Sequence, residues 1–214
     1  MERKKRDSFG LSQLAKNFQI EVVSECATLS EWLAASYELN ETELTLLKTI
    51  FVKVQTDGNY WNEEELKIQL IGFLFFIADI DTKDKIKVFY ERPLSAEVNS
   101  YNLSVVVDCL VATPLPFHTP ENPYFFLQEY KKGRGDDKDP EAQMLTAMLI
   151  AQELNKDHKP IFGSYLFGSR WKFCTLTGKS YCQSPELDAD KYHDLLQIVF
   201  VLRKLKELIL GRVA

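Results

Sequence analysis

Three residues of this sequence, Asp108, Glu129 and Lys131, have the types and spacing to act together on a phosphate ester. Glu129 and Lys131 lie near the end of the apolar segment Tyr124–Lys131, two positions apart. In a β-strand, such positions point to the same face. Asp108 interrupts the apolar run Val105–Val111, where a lone carboxylate is costly to bury unless it is paired or binds a metal.

The two carboxylates suggest a site for a hard cation. If their strands are neighbours, Asp108 and Glu129 converge on one ion, and such oxygen ligands suit Mg²⁺, with Mn²⁺ as an alternative. A bound Mg²⁺ neutralises charge on a phosphodiester and lowers the pKa of an attacking water. The ammonium of Lys131 could orient that water or stabilise the developing charge.

The elements that must position these residues follow from periodicity and from helix-start signals. The sequence predicts a helix from Asn62 to about Ile80, strands at Lys85–Arg92, Tyr101–Thr113 and Tyr124–Lys131, a helix from Asp139 to about Leu154, strands at Ile161–Phe167 and Trp171–Thr177, and a helix from about Tyr192 to Leu210. This order predicts an α/β protein in which a mixed central sheet is flanked by helices.

The chain reads as a single domain over residues 1–214, because it has neither an internal repeat nor a low-complexity linker. Its expected core covers residues 62–177. Residues 1–61 form an N-terminal helical extension, and residues 190–210 form the C-terminal helix.

Composition excludes several classes of protein. Four cysteines without a C-x-x-C pair exclude a disulfide scaffold and a thiolate zinc site, and we expect a reducing, cytoplasmic location. No apolar run reaches the roughly 20 residues of a membrane helix, so no membrane association is expected. A net charge of −5 argues against coating nucleic acid through bulk electrostatics.

The order of these residues resembles the PD-(D/E)XK nuclease superfamily. Asp108 lies on one strand, Glu129-Tyr130-Lys131 on the next, and Gln143 on the following helix. The resemblance implies a restriction endonuclease-like core. It also implies a Mg²⁺-dependent endo- or exonuclease that hydrolyses phosphodiester bonds, with DNA as the expected substrate.

The resemblance also implies roles for individual residues. Asp108 and Glu129 would bind the metal, with the Tyr130 carbonyl as a third ligand, and Lys131 would be the catalytic lysine. Glu65, on the first helix, is the candidate for a further metal ligand.

Two positions depart from the pattern of some family members. Gln143 stands where those members place a glutamine near the active site, but they usually have a tyrosine four residues later, where this chain has Ala147. Val107 rather than proline precedes Asp108, as in many members of the superfamily.

Each candidate also has a structural interpretation. Glu129 and Lys131 could form an ion pair, and Asp108 could accept hydrogen bonds from nearby backbone. Glu65 is the fourth residue of a capping-box sequence that starts at Asn62. Gln143 could cap its helix or face solvent. In functional terms, the alternative is a catalytically inactive module on the same fold that binds nucleic acid or protein.

Residues around the predicted site leave further alternatives open. A loop of mixed charge after the motif strand could receive phosphates or simply be solvated; it contains Lys132, Arg134, Asp136, Asp137 and Lys138. Three residues of the last hairpin could stack on a base or belong to the core: Tyr165, Arg170 and Trp171. The apolar face of the C-terminal helix could form a homodimer or fold back onto the sheet.

Overall fold

The computed structural model of the protein describes residues 9–132 and 139–213. Its α-helices are α1 (Leu11–Phe18), α2 (Ala27–Leu33), α3 (Glu41–Asp57), α4 (Glu63–Leu66), α5 (Gly72–Ala78), α6 (Pro140–Asn155) and α7 (Tyr192–Val213). Its strands are β1 (Glu21–Val23), β2 (Lys87–Val98), β3 (Tyr101–Pro114), β4 (Pro120–Lys131), β5 (Ile161–Phe167), β6 (Arg170–Thr177), β7 (Ser180–Gln183) and β8 (Leu187–Asp188).

All of these strands join one mixed sheet. Its order is β1-β7-β6-β5-β4-β3-β2, and β8 pairs with β6. The β4–β5 and β1–β7 pairs are parallel, and the others are antiparallel. The predicted α/β class with a mixed, helix-flanked sheet is therefore confirmed.

The central strands carry apolar side chains on both faces of the sheet. Helices therefore cover both faces. Helices α2, α3, α5 and α7 contribute to one core cluster, which we call the first core. Helices α1 and α6 contribute to a second core on the other face. The indole of Trp32 lies at the centre of the first core, with ring centroids 4.9 Å from Phe162 and 5.2 Å from Phe173.

The helix predicted from Asn62 exists but is interrupted. It starts with the predicted capping box and continues as α4, then passes through a π-helical stretch at Lys67–Ile71 before α5. Helix α5 ends at Ala78, and Asp79 follows in the left-handed conformation with φ 53°. Stretches of π-helix are frequent at functional sites, and this one carries Lys67.

The strands nearest the motif are longer than predicted. Strand β2 continues past Pro93 to Val98, which an edge strand permits because its outer N–H groups need no partner. Strand β4 starts at Pro120 inside the predicted proline-rich loop. The hairpin of β5 and β6 and the start of α6 agree with the prediction, whereas the short strands β1, β7 and β8 were not predicted.

The apolar face of α7 lies inside the protein. Leu195, Val199, Leu202 and Leu205 are fully buried in the first core. This face therefore folds back onto the chain, and the homodimer remains a prediction. In the part of the chain that the structure describes, no helix combines the length and the apolarity needed to cross a membrane.

Gly163 on β5 permits the close approach of α6 to the sheet. A β-carbon built at this residue would lie 2.8 Å from the Met144 sulfur and 3.1 Å from the Met148 sulfur. We therefore expect Gly163→Ala to lower the free energy of unfolding by about 1–3 kcal/mol through overpacking. Urea denaturation measures this change.

Gly211 on α7 provides the matched control, since a β-carbon there meets no atom within 4 Å. Gly211→Ala should be neutral or stabilise the protein by up to about 1 kcal/mol, because alanine favours the helix. Equal effects of the two substitutions would contradict the close approach of α6.

Candidate active site

The site lies where strands β3 and β4 separate. Their pairing extends from Pro114–Pro120 to Cys109–Gln128, and Asp108 and Glu129 occupy the next row. There the Asp108 Oδ2 accepts a hydrogen bond from the Tyr130 backbone N–H at 2.9 Å. The aspartate side chain thus satisfies a backbone donor of β4 that no longer has a partner on β3.

The other neighbour of β3 is also irregular at this row. The β2–β3 pairing passes from Tyr90–Cys109 to Arg92–Val107, and Glu91 between them has a φ of 53°. Asp108 therefore sits at a fork in the sheet, between the free end of β4 and a row at which Glu91 of β2 leaves the pairing without a change of register.

Glu129 is completely buried. Among the described residues, neither of its carboxylate oxygens makes a hydrogen bond of good geometry, and the polar groups beside them are the carboxyl and the backbone N–H of Asp108. Burial raises the pKa of Glu129 well above its ordinary value, the charge of Asp108 raises it further, and the charge of Lys131 partly lowers it. A buried carboxylate in this condition needs a proton or a cation.

The carboxyl group of Asp108 is perturbed in the same direction. Burial raises its pKa, while the hydrogen bond from the Tyr130 N–H and the charge of Lys131 act against that increase. Asp108 and Glu129 therefore form a pair of adjacent carboxylates that is difficult to ionise fully.

Lys131 contacts other groups than the predicted partner Glu129. Its Nζ donates to the Tyr130 carbonyl at 3.0 Å, and lies 3.5 Å from Glu63 Oε1 and 3.9 Å from Asp108 Oδ2. No ion pair joins Glu129 and Lys131, both of which the structure describes. The ammonium is thus oriented toward Asp108 by backbone and by α4.

Lys67 was not singled out in the sequence but lies beside the site. Its ammonium pairs with Glu64 at 2.8 Å and with Glu91 at 2.9 Å, and it lies 5.9 Å from the centroid of the Tyr130 ring. The π-helical stretch of the α4–α5 segment positions this lysine.

Among the described side chains that pair or interact at the fork, carboxylates outnumber ammonium groups. The acidic groups are Glu63, Glu64, Glu91, Asp108 and Glu129, and the basic groups are Lys67 and Lys131. This balance favours binding of a cation. The acidic first turn of α4, Glu63-Glu64-Glu65, was the signal in the sequence that could have identified Glu63.

Glu65 and Gln143, the other candidates of the resemblance, make no hydrogen bond or ion pair with the central pair of described carboxylates. Glu65 accepts a hydrogen bond from the Asn62 N–H at 2.8 Å, and its own N–H donates to Asn62 at 2.9 Å, so it closes the capping box. Gln143 lies in the first turn of α6, with its Oε1 buried and unpartnered among the described residues. No hydrogen bond joins Gln143 to Asp108, Glu129 or Lys131, all of them described.

The structure decides between the alternatives for some of the flanking residues. Tyr165 and Trp171 are buried in the two cores, as the core interpretation predicted, whereas Arg170 is exposed. Tyr165 pairs with Glu129 across β4 and β5, but its hydroxyl donates to Glu141 at 2.8 Å. Four loop residues lie outside the described residues: Arg134, Asp136, Asp137 and Lys138.

The carboxylates of Asp108 and Glu129 are hard oxygen donors, the ligand type that Mg²⁺ prefers. Within residues 9–132 and 139–213, no group of three or more His, Cys, Asp or Glu side chains is arranged to hold a metal. Mg²⁺, however, is often bound by only one or two carboxylates plus water. The unpartnered oxygens of Glu129 beside Asp108 could supply these ligands. The Tyr130 carbonyl already accepts from Lys131, but a carbonyl oxygen has a second lone pair.

The chain matches no protein-family model, and no curated protein matches it either. The function must therefore be inferred from the site itself.

The burial of Glu129 predicts a pH dependence of stability. Because its pKa is raised in the folded state, the native protein holds this proton when the unfolded chain has released it. Stability should therefore fall as pH rises above about 4.3, the ordinary glutamate pKa. In the presence of a metal chelator, Glu129→Gln should have a free energy of unfolding about 1–3 kcal/mol higher than that of the wild type at pH 8. The difference should be smaller at pH 5.

Urea denaturation at the two pH values measures this difference. Glu153→Gln is the matched control, because Glu153 is an exposed residue of α6, and it should behave like the wild type at both. A stability gain for Glu129→Gln that did not change with pH would exclude a perturbed carboxyl at this position.

Proposed function

We propose that the protein is a Mg²⁺-dependent phosphodiesterase of the nuclease type, with a PD-(D/E)XK-like site formed by Asp108, Glu129 and Lys131. One observation carries the proposal. Glu129 is fully buried, its oxygens make no hydrogen bond of good geometry among the described residues, and its polar neighbours are Asp108 and the Lys131 ammonium. A structural carboxylate would be expected to have hydrogen-bond donors in such surroundings.

Each residue of the site would have a separate role. Asp108 and Glu129 would hold the metal, which when bound neutralises phosphate charge and acidifies a coordinated water. The Tyr130 N–H fixes the orientation of Asp108. The Tyr130 carbonyl and Glu63 hold the Lys131 ammonium near Asp108, where it can orient the attacking water or stabilise charge on a phosphate oxygen.

The choice of nucleic acid, and of DNA in particular, rests on the resemblance in motif order. The acidic surroundings of the fork would repel a polyanion in the absence of a cation. Divalent metal would therefore be required for substrate binding as well as for catalysis, and its removal should abolish both.

A second candidate is a catalytically inactive binding module on the same fold. It is favoured by the contacts of Lys131, whose ammonium is already partnered by Glu63 and the Tyr130 carbonyl. In this function, Lys131 would neutralise carboxylates instead of contacting a substrate.

Substitution of Lys131 tests the proposed catalysis. Lys131→Ala should lower metal-dependent cleavage of plasmid and single-stranded DNA by about 100-fold or more, the usual effect of removing one group that stabilises the transition state. Lys48→Ala removes an exposed lysine of α3 and should cleave like the wild type. Cleavage is measured with Mg²⁺ and with Mn²⁺, after circular dichroism has shown that each variant folds.

Calorimetric titration with Mn²⁺ separates the two candidates. If the protein is an enzyme, Asp108→Asn should lose most of the affinity for Mn²⁺. Both Asp108→Asn and Lys131→Ala should then lose cleavage. A binding module should bind DNA without cutting it under any metal condition. Equal cleavage by wild type and Lys131→Ala would refute the assigned role of the lysine.

A pair of neighbouring glutamates tests which residue of α4 serves the site. Glu63→Ala should lower cleavage by about tenfold, because Lys131 loses an orienting contact, with little change in stability. Glu65→Ala should lower the free energy of unfolding by about 0.5–1 kcal/mol through loss of the cap, with cleavage close to wild type. The reverse pattern would make Glu65 the metal ligand that the resemblance implies.

A further inference from the structure

Two cysteines far apart in the chain meet at the opposite end of the sheet order from β2 and β3. Cys26 lies between β1 and α2, where its sulfur accepts a hydrogen bond from the Leu29 N–H at 3.4 Å. The same sulfur lies 3.4 Å from the Thr175 Oγ1 on β6. Its position is therefore fixed by contacts from two separate segments.

Cys182 occupies the position beside this contact. It lies on β7 directly opposite Thr175 in the β6–β7 pairing, and directly paired residues hold their β-carbons about 5 Å apart on the same face. Cys182 is buried in the first core, and Cys26 packs against the same core. Both cysteines are therefore neighbours of the same threonine, Thr175.

We propose that Cys26 and Cys182 form a redox-sensitive thiol pair that closes to an intramolecular disulfide when the protein meets a peroxide. The proposal is independent of the nuclease site. Both cysteines are free in the reduced protein, and disulfides of intracellular proteins are usually transient or redox-sensing.

The environment makes Cys26 the attacking residue. Burial raises the pKa of Cys26, but hydrogen bonds from Thr175, Leu29 and Cys182 outweigh it, so the pKa lies below its ordinary value. Burial and the neighbouring Cys26 raise the pKa of Cys182 to about 11. Cys26 is also only partly buried, and an accessible thiolate reacts first with peroxides.

The reaction has two balanced steps. The Cys26 thiolate attacks one peroxide oxygen, the O–O bond breaks, and hydroxide leaves, which yields a sulfenic acid. The Cys182 sulfur then attacks the Cys26 sulfur, the S–O bond breaks, and the departing hydroxide takes the Cys182 proton. In sum, two thiols are oxidised by two electrons, and one peroxide is reduced to two waters.

The bond would fasten a weakly attached edge of the sheet. Strand β1 is short and pairs with β7 at Glu21–Ser180, Val22–Tyr181 and Val23–Cys182, with one further bond from the Glu21 N–H to the Lys179 carbonyl. A covalent link from Cys26 to Cys182 would prevent β1 and the start of α2 from separating from β7. Because it would close a very long loop of chain, it should also stabilise the fold.

The test uses the full chain, reduced and then treated with hydrogen peroxide. Free thiols are alkylated, the protein is digested without reduction, and the peptides are analysed by mass spectrometry. The expected result is a peptide that links Cys26 to Cys182, a loss of two hydrogen atoms from the intact mass, reversal by dithiothreitol, and a rise in Tm of roughly 5 °C.

Cys109 and Cys174 serve as controls within the same molecule. Both are fully buried, and they should become alkylated only after unfolding. Cys26→Ser should abolish the cross-link and leave Cys182 reduced. Cys182→Ser should instead retain an oxygen adduct on Cys26. Because Cys26 is partly exposed, Cys26→Ser keeps the test decisive even if Cys182→Ser fails to fold.

Three results would overturn the proposal. One is a wild-type protein in which Cys26 gains oxygen while Cys182 stays reduced. Another is a covalent dimer through Cys26 in place of the intramolecular link. The third is oxidation of Cys26 and Cys182 no faster than that of Cys109 and Cys174.

Discussion

Beyond Cys109 and Gln128, strands β3 and β4 no longer pair, and the carboxylate of Asp108 takes up the Tyr130 N–H that the separation leaves open. This hydrogen bond allows the sheet to divide without an unsatisfied backbone donor. It also determines where Asp108 points. The β2–β3 pairing also skips this row at Glu91, whose φ is 53°, but it resumes in the same register, so the division of the sheet concerns β4.

The electrostatics of the site follow from that division. Glu129 extends from the end of β4 into a buried position, where Asp108 is close enough to disfavour its ionisation. Lys131 compensates only in part, because its ammonium is held by the Tyr130 carbonyl and Glu63. A fold selected for stability alone would place an apolar residue at position 129. A buried carboxylate breaks the usual rule that core positions are apolar. Such exceptions are expected at functional or strained sites.

The sheet that carries the site is closely packed on both faces. Helix α6 packs closely on β5 at Gly163, and the other face is filled by the aromatic cluster around Trp32. The π-helical stretch at Lys67–Ile71 is the exception. It brings the ammonium of Lys67 between Glu64 and Glu91, at the rim of the acidic group.

The edge of the sheet at β1 differs from this rigid centre. A short parallel strand is held there by few main-chain bonds, and the side chains of Cys26, Thr175 and Cys182 meet beneath it. Covalent control at such an edge would act on a short strand at the end of the sheet, away from the fork.

Local patterns in the sequence determined the central strands, the capping box at Asn62, the start of α6 and the strand alternation that aligns Glu129 with Lys131. These features depend on residues close together in the chain, so periodicity and cap residues specify them. Only the tertiary structure decided the pairing of Lys131 with Glu63 and the burial of Glu129 beside Asp108. These contacts depend on cross-strand register, on bulges and on the approach of distant helices, where a shift of one residue turns each side chain to the other face.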